Sequence, residues 1–255
     1  MKRTARIVAA CLLMGGVSAV SPAFAGTGSS SGGSATSGYN AIPSNVNGNV
    51  TSEAFQADRT TEFGDEVGLS GKSRTLNSMT VLLSSWACQT GAWETNDCAT
   101  TPGATFPVDM TFNVYADSAG TPGAVLATKT QTVNVAYRPS ASAICATISV
   151  DGIPQTGKWY NKADKTCYNG FPQTVKMAMP SATLSDNVIW SVNYLTYNTT
   201  GGLSGPADSL NVGANTFANA PFSGTDVNED QVFRNGVMES GWTGYRPLGA
   251  ITTVK

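Results

Sequence analysis

Hydrophobic and polar residues alternate with a period of two in many short segments of the chain, which is the pattern of β-strands. The clearest case is VIWSVNYLTY, in which Val188, Trp190, Val192 and Tyr194 point one way and the residues between them the other. Turn signals such as 118–123 separate such segments, and no long helical period occurs. Weaker alternation covers 53–59, 76–86, 108–115, 124–137, 173–179, 209–212, 230–233 and 248–254.

Many short strands joined by Gly- and Pro-containing turns are typical of all-β proteins. The pattern predicts an antiparallel β-sandwich of the jelly-roll type. We assign residues 41–255 to one domain, since they contain no low-complexity break and no internal repeat.

The first 25 residues have the organisation of a secretory signal peptide. Three basic residues precede an apolar stretch over 7–20, and Ala23-Phe24-Ala25 supplies a cleavage pattern. The apolar stretch is shorter than the ~20 residues of a membrane-spanning helix, so we expect no membrane span after cleavage. Residues 26–40 are Gly- and Ser-rich and predict a flexible linker. We therefore expect a secreted, extracellular bacterial protein.

Charge argues against two classes of partner. Removal of residues 1–25 takes away three of the 15 basic residues and none of the 17 acidic ones, which leaves a net charge of −5. No cluster of Lys and Arg supplies the positive surface on which binding to a phosphate backbone depends. We expect neither nucleic acid nor an anionic membrane as partner.

Four cysteines follow the signal segment: Cys88, Cys98, Cys145 and Cys167. Export places them in an oxidising compartment, where three pairings are open to them. We favour the two local pairs, Cys88–Cys98 and Cys145–Cys167. A metal site is the poorer interpretation, because the sequence has no C-x-x-C spacing and no histidine.

The absence of histidine also removes Ser-His and Cys-His nucleophiles and every His-ligated metal. Paired carboxylates remain, because glycoside hydrolysis needs only two of them. Acidic residues in turns are otherwise solvated or cap local backbone N–H groups. Two acidic clusters occur: Glu62, Asp65 and Glu66 in one, and Asp226, Glu229 and Asp230 in the other.

The segment 226–230 also spaces oxygen ligands as calcium loops do. Asp226, Asn228 and Asp230 alternate, but the Gly and Glu of an EF-hand are missing at the sixth and twelfth positions. A structural calcium ion and an Asx turn are the two interpretations. We expect no other cofactor.

Alternating strand directions predict which loops share an end of the sandwich. Loops 87–107, 138–172, 198–208 and 236–246 are predicted to lie together, which makes this the candidate ligand end. Trp86 and Trp190 fall within strand patterns and are therefore predicted to be core residues. Tryptophans in loops are either packed by the loop itself or exposed to a ligand. The candidate ligand-binding residues are Trp93, Trp159, Tyr160, Asp208 and Trp242.

Several motifs resemble those of a known group of proteins. EAFQA at 53–57, LLSSWAC at 82–88, FPVDMTFNVY at 106–115, CYNGF at 167–171 and DSLNVG at 208–213 occur in the same order in that group. On these motifs the chain resembles secreted bacterial proteins that have no assigned activity. The resemblance implies no catalytic residue.

Secretion, the lack of histidine and aromatic loops together favour a non-enzymatic binding or structural module. We expect its disulfide-clasped loops to contact a glycan, a cell-envelope component or another protein. The alternatives are a carboxylate-dependent polysaccharide hydrolase and a self-assembling structural protein.

Overall fold

The computed structural model describes residues 34–196, 205–216 and 221–255, which form one compact unit of antiparallel β-sheets. The predicted signal peptide, 1–25, lies outside the described residues, as does most of the predicted linker. The described residues contain one short helix, α1 (Ala143–Ala146), and a 3-10 turn at Gly205–Ser209.

The strands are numbered in chain order. They are β1 (Thr36–Asn40), β2 (Ser52–Glu53), β3 (Glu62–Gly68), β4 (Thr75–Ser85), β5 (Thr105–Asp117), β6 (Pro122–Ala136), β7 (Ser149–Val150), β8 (Ile153–Pro154), β9 (Trp159–Asn161), β10 (Thr166–Tyr168), β11 (Phe171–Ala178), β12 (Asn187–Asn193), β13 (Leu210–Thr216), β14 (Thr225–Asp226), β15 (Gln231–Arg234), β16 (Val237–Ser240), β17 (Tyr245–Pro247) and β18 (Gly249–Val254).

Two seven-stranded antiparallel sheets form the sandwich, as the alternation predicts. In sheet A, β4 pairs with β11 along one edge and with β18 and then β13 along the other, while β1, β2 and β17 extend the sheet. Sheet B has the order β16-β15-β3-β12-β5-β6, and β14 pairs with β3. The hairpins β7–β8 and β9–β10 belong to the loop between β6 and β11.

The core lies between the two sheets. Val188, Trp190 and Val192 of β12 point into it, as the alternation predicts, and every second residue of β5 from Phe106 to Val114 is buried. The indole ring of Trp190 reaches across to sheet A, where a Cβ at Gly249 would overlap it. The absence of a side chain at Gly249 therefore allows the two sheets to approach each other closely at this point.

Sheet A begins earlier than the linker prediction allows. Thr36–Asn40 pairs with β18, and Tyr39 is fully buried. Residues 36–40 of the predicted linker thus form a strand, because one tyrosine supplies the apolar surface that the flanking Gly and Ser residues lack.

One strand assignment from the sequence is wrong, and one central strand is not predicted by it. The segment 53–59 is a strand only at β2, after which the chain turns and Thr60 N–H donates to the carbonyl of Phe55 at 2.9 Å. Conversely, the acidic segment that begins at Glu62 is a central strand, β3, and not a solvated turn.

Asp65 occupies a core position of β3. It lies opposite Trp190 in the register, between the inward-facing Phe63 and Val67. Its Oδ1 accepts a hydrogen bond from the Glu66 N–H at 3.0 Å, and among the described residues its Oδ2 has no partner. Burial, followed by the nearby carboxylate of Asp226, raises the pKa of Asp65 well above its usual value, and Arg246 opposes this.

We predict that Asp65→Asn stabilises the protein at pH 7, by about 1.4 kcal/mol for each pH unit by which the folded-state pKa of Asp65 exceeds that of the unfolded chain. The unfolded chain ionises Asp65 above about pH 4, whereas the folded protein retains the proton until its raised pKa is reached. Stability is therefore lost as the pH rises through that interval, and asparagine removes the loss. Urea unfolding of both proteins between pH 4 and 8 measures the difference.

The control is Asp151→Asn at an exposed turn, where Asn tolerates the left-handed φ of 51°. It should leave the free energy of unfolding nearly unchanged at every pH. A lower stability of Asp65→Asn than of the natural protein at pH 7 would mean that Asp65 is ionised and paired in the fold.

Candidate functional site

Two disulfides clasp the loops at one end of the sandwich, and both local pairings expected from the sequence are confirmed. Cys88–Cys98 has a Cα–Cα distance of 5.3 Å, and Cys145–Cys167 has one of 5.8 Å. The second bridge ties α1 to β10. By the chain-entropy model each bridge stabilises the fold by roughly 3 kcal/mol.

The two clasped loops dock directly against each other. Ala141 N–H donates to the carbonyl of Cys98 at 2.9 Å, and Thr100 N–H donates to Ser140 Oγ at 2.9 Å. A Cβ at Gly157, where φ is +80°, would overlap the side chain of Asn96. The glycine therefore permits a close approach that any other residue would prevent.

Arg138 lies buried where these loops meet. Its backbone N–H donates to the carbonyl of Ala87 at 2.9 Å, and its guanidinium donates to the carbonyls of Gly157 at 2.6 Å and Pro139 at 3.4 Å. The residue is 0% exposed, and no described carboxylate pairs with it. Burial lowers the pKa of Arg138 to about 10.

The larger cleft at this end, named here the Trp93 cleft, has a volume of about 610 Å³. The ring of Trp93 stands edge-on to that of Trp86, with centroids 4.6 Å apart. The sequence prediction that Trp86 is simply a core residue is therefore incomplete. The cleft is lined by Ser52, Ala54, Gln56, Ala57, Trp86, Ala87, Cys88, Gly91, Ala92, Trp93, Glu94, Gly205, Pro206, Asp208, Ser209 and Asn211.

The end of β4 and the start of β13 position the polar side of the Trp93 cleft. Trp86 N–H donates to the carbonyl of Ser209 at 2.8 Å, which holds the 3-10 turn against the tryptophan. Asp208 Oδ1 accepts from the Ser209 hydroxyl at 2.8 Å. Asp208 and Glu94 are the charged residues of the lining, and no lysine or arginine among the described residues joins them.

A second cleft, named here the Trp159 cleft, has a volume of about 580 Å³. Trp159 is buried, and its Nε1–H donates to the carbonyl of Gly170 at 3.1 Å. Phe171 packs edge-on against it. The cleft is lined by Thr100, Pro102, Gly103, Ala104, Ala136, Tyr137, Pro139, Ser140, Ala141, Ser142, Ile144, Trp159, Tyr160, Lys162 and Phe171.

The five candidate ligand residues thus divide into groups. Trp93 and Asp208 share one cleft, while Trp159 and Tyr160 share the other. Trp242 lines neither cleft; its ring packs against Phe63 at a centroid distance of 5.4 Å.

The first acidic cluster does not converge. Asp65 points into the core, whereas Glu62 and Glu66 occupy the opposite face of β3, about 13 Å apart at the strand rise of ~3.3 Å per residue. Glu62 Oε1 accepts hydrogen bonds from Asn113, Tyr115 and Ser191. Burial, followed by Asp117, raises the pKa of Glu66. The three side chains therefore do not face one common site, and a hydrolytic pair of carboxylates within this cluster stays a prediction.

Asp226 of the second cluster lies close to Asp65 and Glu66 of the first, where its charge raises the pKa of both. Asp226 Oδ2 accepts from Arg246 Nε at 2.8 Å, and Asp230 Oδ1 accepts from the Thr243 hydroxyl. Asn228 Oδ1 accepts from Asp230 N–H, as in an Asx turn. Within 34–196, 205–216 and 221–255, no group of three or more acidic, cysteine or histidine side chains has the arrangement of a metal site. Calcium binding here stays a prediction.

Comparison with known proteins adds no relative. No protein-family model matches the chain, and neither characterised proteins nor solved structures yield a match. The resemblance to secreted bacterial proteins stays a prediction. Among the described residues, no helix is long and apolar enough to cross a membrane.

Arg138→Ala should loosen both clasped loops, because the Gly157 carbonyl loses its donor, a cavity replaces the guanidinium, and Gly157 packs closely on Asn96 of the first loop. We expect a loss of about 2–4 kcal/mol in stability and faster amide hydrogen exchange at both 88–98 and 145–167. Exchange followed by mass spectrometry measures each loop separately. Arg59→Ala, at an exposed turn residue, is the matched control and should leave both loops protected. Unchanged exchange in the Arg138 variant would mean that the disulfides alone hold the loops.

Proposed function

We propose that this protein is a secreted, non-enzymatic binding module that takes a glycan in the Trp93 cleft. The observation that carries the proposal is the pairing of two tryptophans with amide, hydroxyl and carboxylate groups in one cleft. Its volume lies within the 300–1,000 Å³ usual for small-molecule sites. One or two sugar residues of a longer glycan would occupy such a space.

The chemistry of the lining suits a sugar ring. The electron-rich face of an indole attracts the weakly positive C–H groups on one face of a pyranose. Carboxylate and amide oxygens from Glu94, Asp208 and Asn211 can accept hydrogen bonds from hydroxyl groups. Because the charged lining residues are acidic, a neutral or cationic glycan is favoured over a phosphorylated or sulfated one.

Secretion belongs to the same proposal. The basic and then apolar start of the sequence supports export. The two disulfides are stable in the oxidising compartments to which export leads. A glycan of the cell envelope or surroundings is the ligand that this location would supply.

Binding should be tested on an array of neutral, cationic and sulfated glycans. Trp93→Ala should weaken binding about tenfold or more, because a central aromatic contact is lost. Trp242→Ala is the control, since it removes another loop tryptophan outside both clefts. Near-UV circular dichroism verifies the fold of each variant. Equal binding by the two variants would exclude the Trp93 cleft, and self-assembly without any glycan binding would favour a structural protein.

One observation favours the hydrolase alternative, namely that Glu94 and Asp208 line the same cleft. As a binding module, the protein should release no reducing ends from a bound polysaccharide during prolonged incubation. Glu94→Gln and Asp208→Asn should then alter affinity alone, with Asp151→Asn as the control. Release of reducing ends that either cleft variant abolishes would replace the binding proposal with the hydrolase.

A further inference from the structure

The Trp159 cleft differs in chemistry from the Trp93 cleft, although both lie among the clasped loops. Its lining consists largely of aromatic, proline and aliphatic side chains, including Tyr137, Pro139 and Phe171. Such a surface gains free energy by covering apolar groups of a ligand. Its polar groups are mainly uncharged hydroxyls, from Thr100 and Ser142 for example.

The floor and one wall of this cleft are held in place by the fold. Trp159 is fixed by its hydrogen bond to Gly170 and by the ring of Tyr168, with centroids 5.5 Å apart. Ile144 lies on α1 beside Cys145, which the disulfide ties to β10. Ile144 is nevertheless 48% exposed, so the scaffold presents an apolar residue to solvent at the cleft. A preformed site of this kind loses little conformational entropy on binding.

Lys162 is the charged residue of the lining. It lies in the turn between β9 and β10 and is exposed, and none of the ion pairs among the described residues includes it. Its ammonium group can therefore meet an anionic group of a ligand whose apolar part covers the aromatic floor.

We infer that the Trp159 cleft binds an amphiphile with an anionic head, of the class of medium-chain carboxylates. The apolar chain lies over Trp159, Phe171 and Ile144, and the carboxylate meets Lys162. The opposite sign of charge separates this ligand class from the neutral or cationic glycan of the Trp93 cleft. The inference does not depend on the glycan proposal, because none of the residues it uses lines that cleft.

Isothermal titration of the purified protein with octanoate, octan-1-ol, octylammonium and butyrate separates the contributions of chain and head. We expect octanoate to bind saturably and at least about tenfold more tightly than butyrate, because the chain of butyrate has four fewer CH₂ groups to bury. Octanoate should also bind about tenfold more tightly than octylammonium, since Lys162 repels the cation.

Lys162→Met should weaken octanoate binding about fivefold and leave octan-1-ol binding unchanged. Lys165→Met is the matched control, because Lys165 is an exposed lysine of the same turn that does not line the cleft. Ile144→Asp, also at an exposed position, should weaken octanoate binding by repulsion. Trp93→Ala should leave octanoate binding unchanged. The failure of the glycan proposal can therefore be told apart from the failure of this inference.

Three results would overturn the inference: no saturable binding of octanoate, equal affinity of the Lys162 and Lys165 variants, or octylammonium binding as tightly as octanoate. Circular dichroism of each variant verifies that the fold is intact. Since Lys162, Lys165 and Ile144 are all exposed, we expect each of these variants to fold.

Discussion

The buried guanidinium of Arg138 is the interaction on which the clasped end of this molecule depends. A buried charge is costly unless hydrogen bonds replace its lost water, and here carbonyls of the second clasped loop bind two of its nitrogens, while Nη1 has no partner among the described residues. The backbone of the same residue binds Ala87 in the first loop. Ala87 lines the Trp93 cleft and Pro139 lines the Trp159 cleft. The contacts of Arg138 with these two residues therefore help to shape a wall of each cleft.

Most of the fold could be predicted from the sequence, since strict alternation leaves few other ways to bury a strand such as 188–194. The exceptions have physical causes. The alternation does not reveal β3, because Asp65 occupies a position where a buried strand normally has an apolar side chain. It does not reveal β1, because Tyr39 is the only large apolar residue among Gly and Ser. The segment after Glu53 alternates, yet backbone hydrogen bonds of a turn bend it away from sheet A.

The candidate site was predictable only in part. Trp93 and Trp159 each line a cleft, as a position in a loop allows, because short-range disulfides keep each loop near the end of the sandwich. Sequence spacing cannot assign them to separate clefts, since that depends on how the loops dock. Nor does it identify Trp86 or Lys162, each of which shares its cleft with residues distant in sequence, such as Asp208 and Thr100.

The two clefts differ in the property that decides which ligands a rigid surface accepts. The charged residues of the Trp93 cleft are acidic, whereas in the Trp159 cleft Lys162 places a positive charge beside an apolar floor. Hydrophobic contact alone discriminates weakly between ligands of similar size, while a like charge at close range excludes a ligand. Because the disulfides and Arg138 hold both clefts in place before any ligand arrives, ordering the loops costs little at binding. Under the two binding proposals, selectivity at this end therefore depends on which charge each docked loop presents.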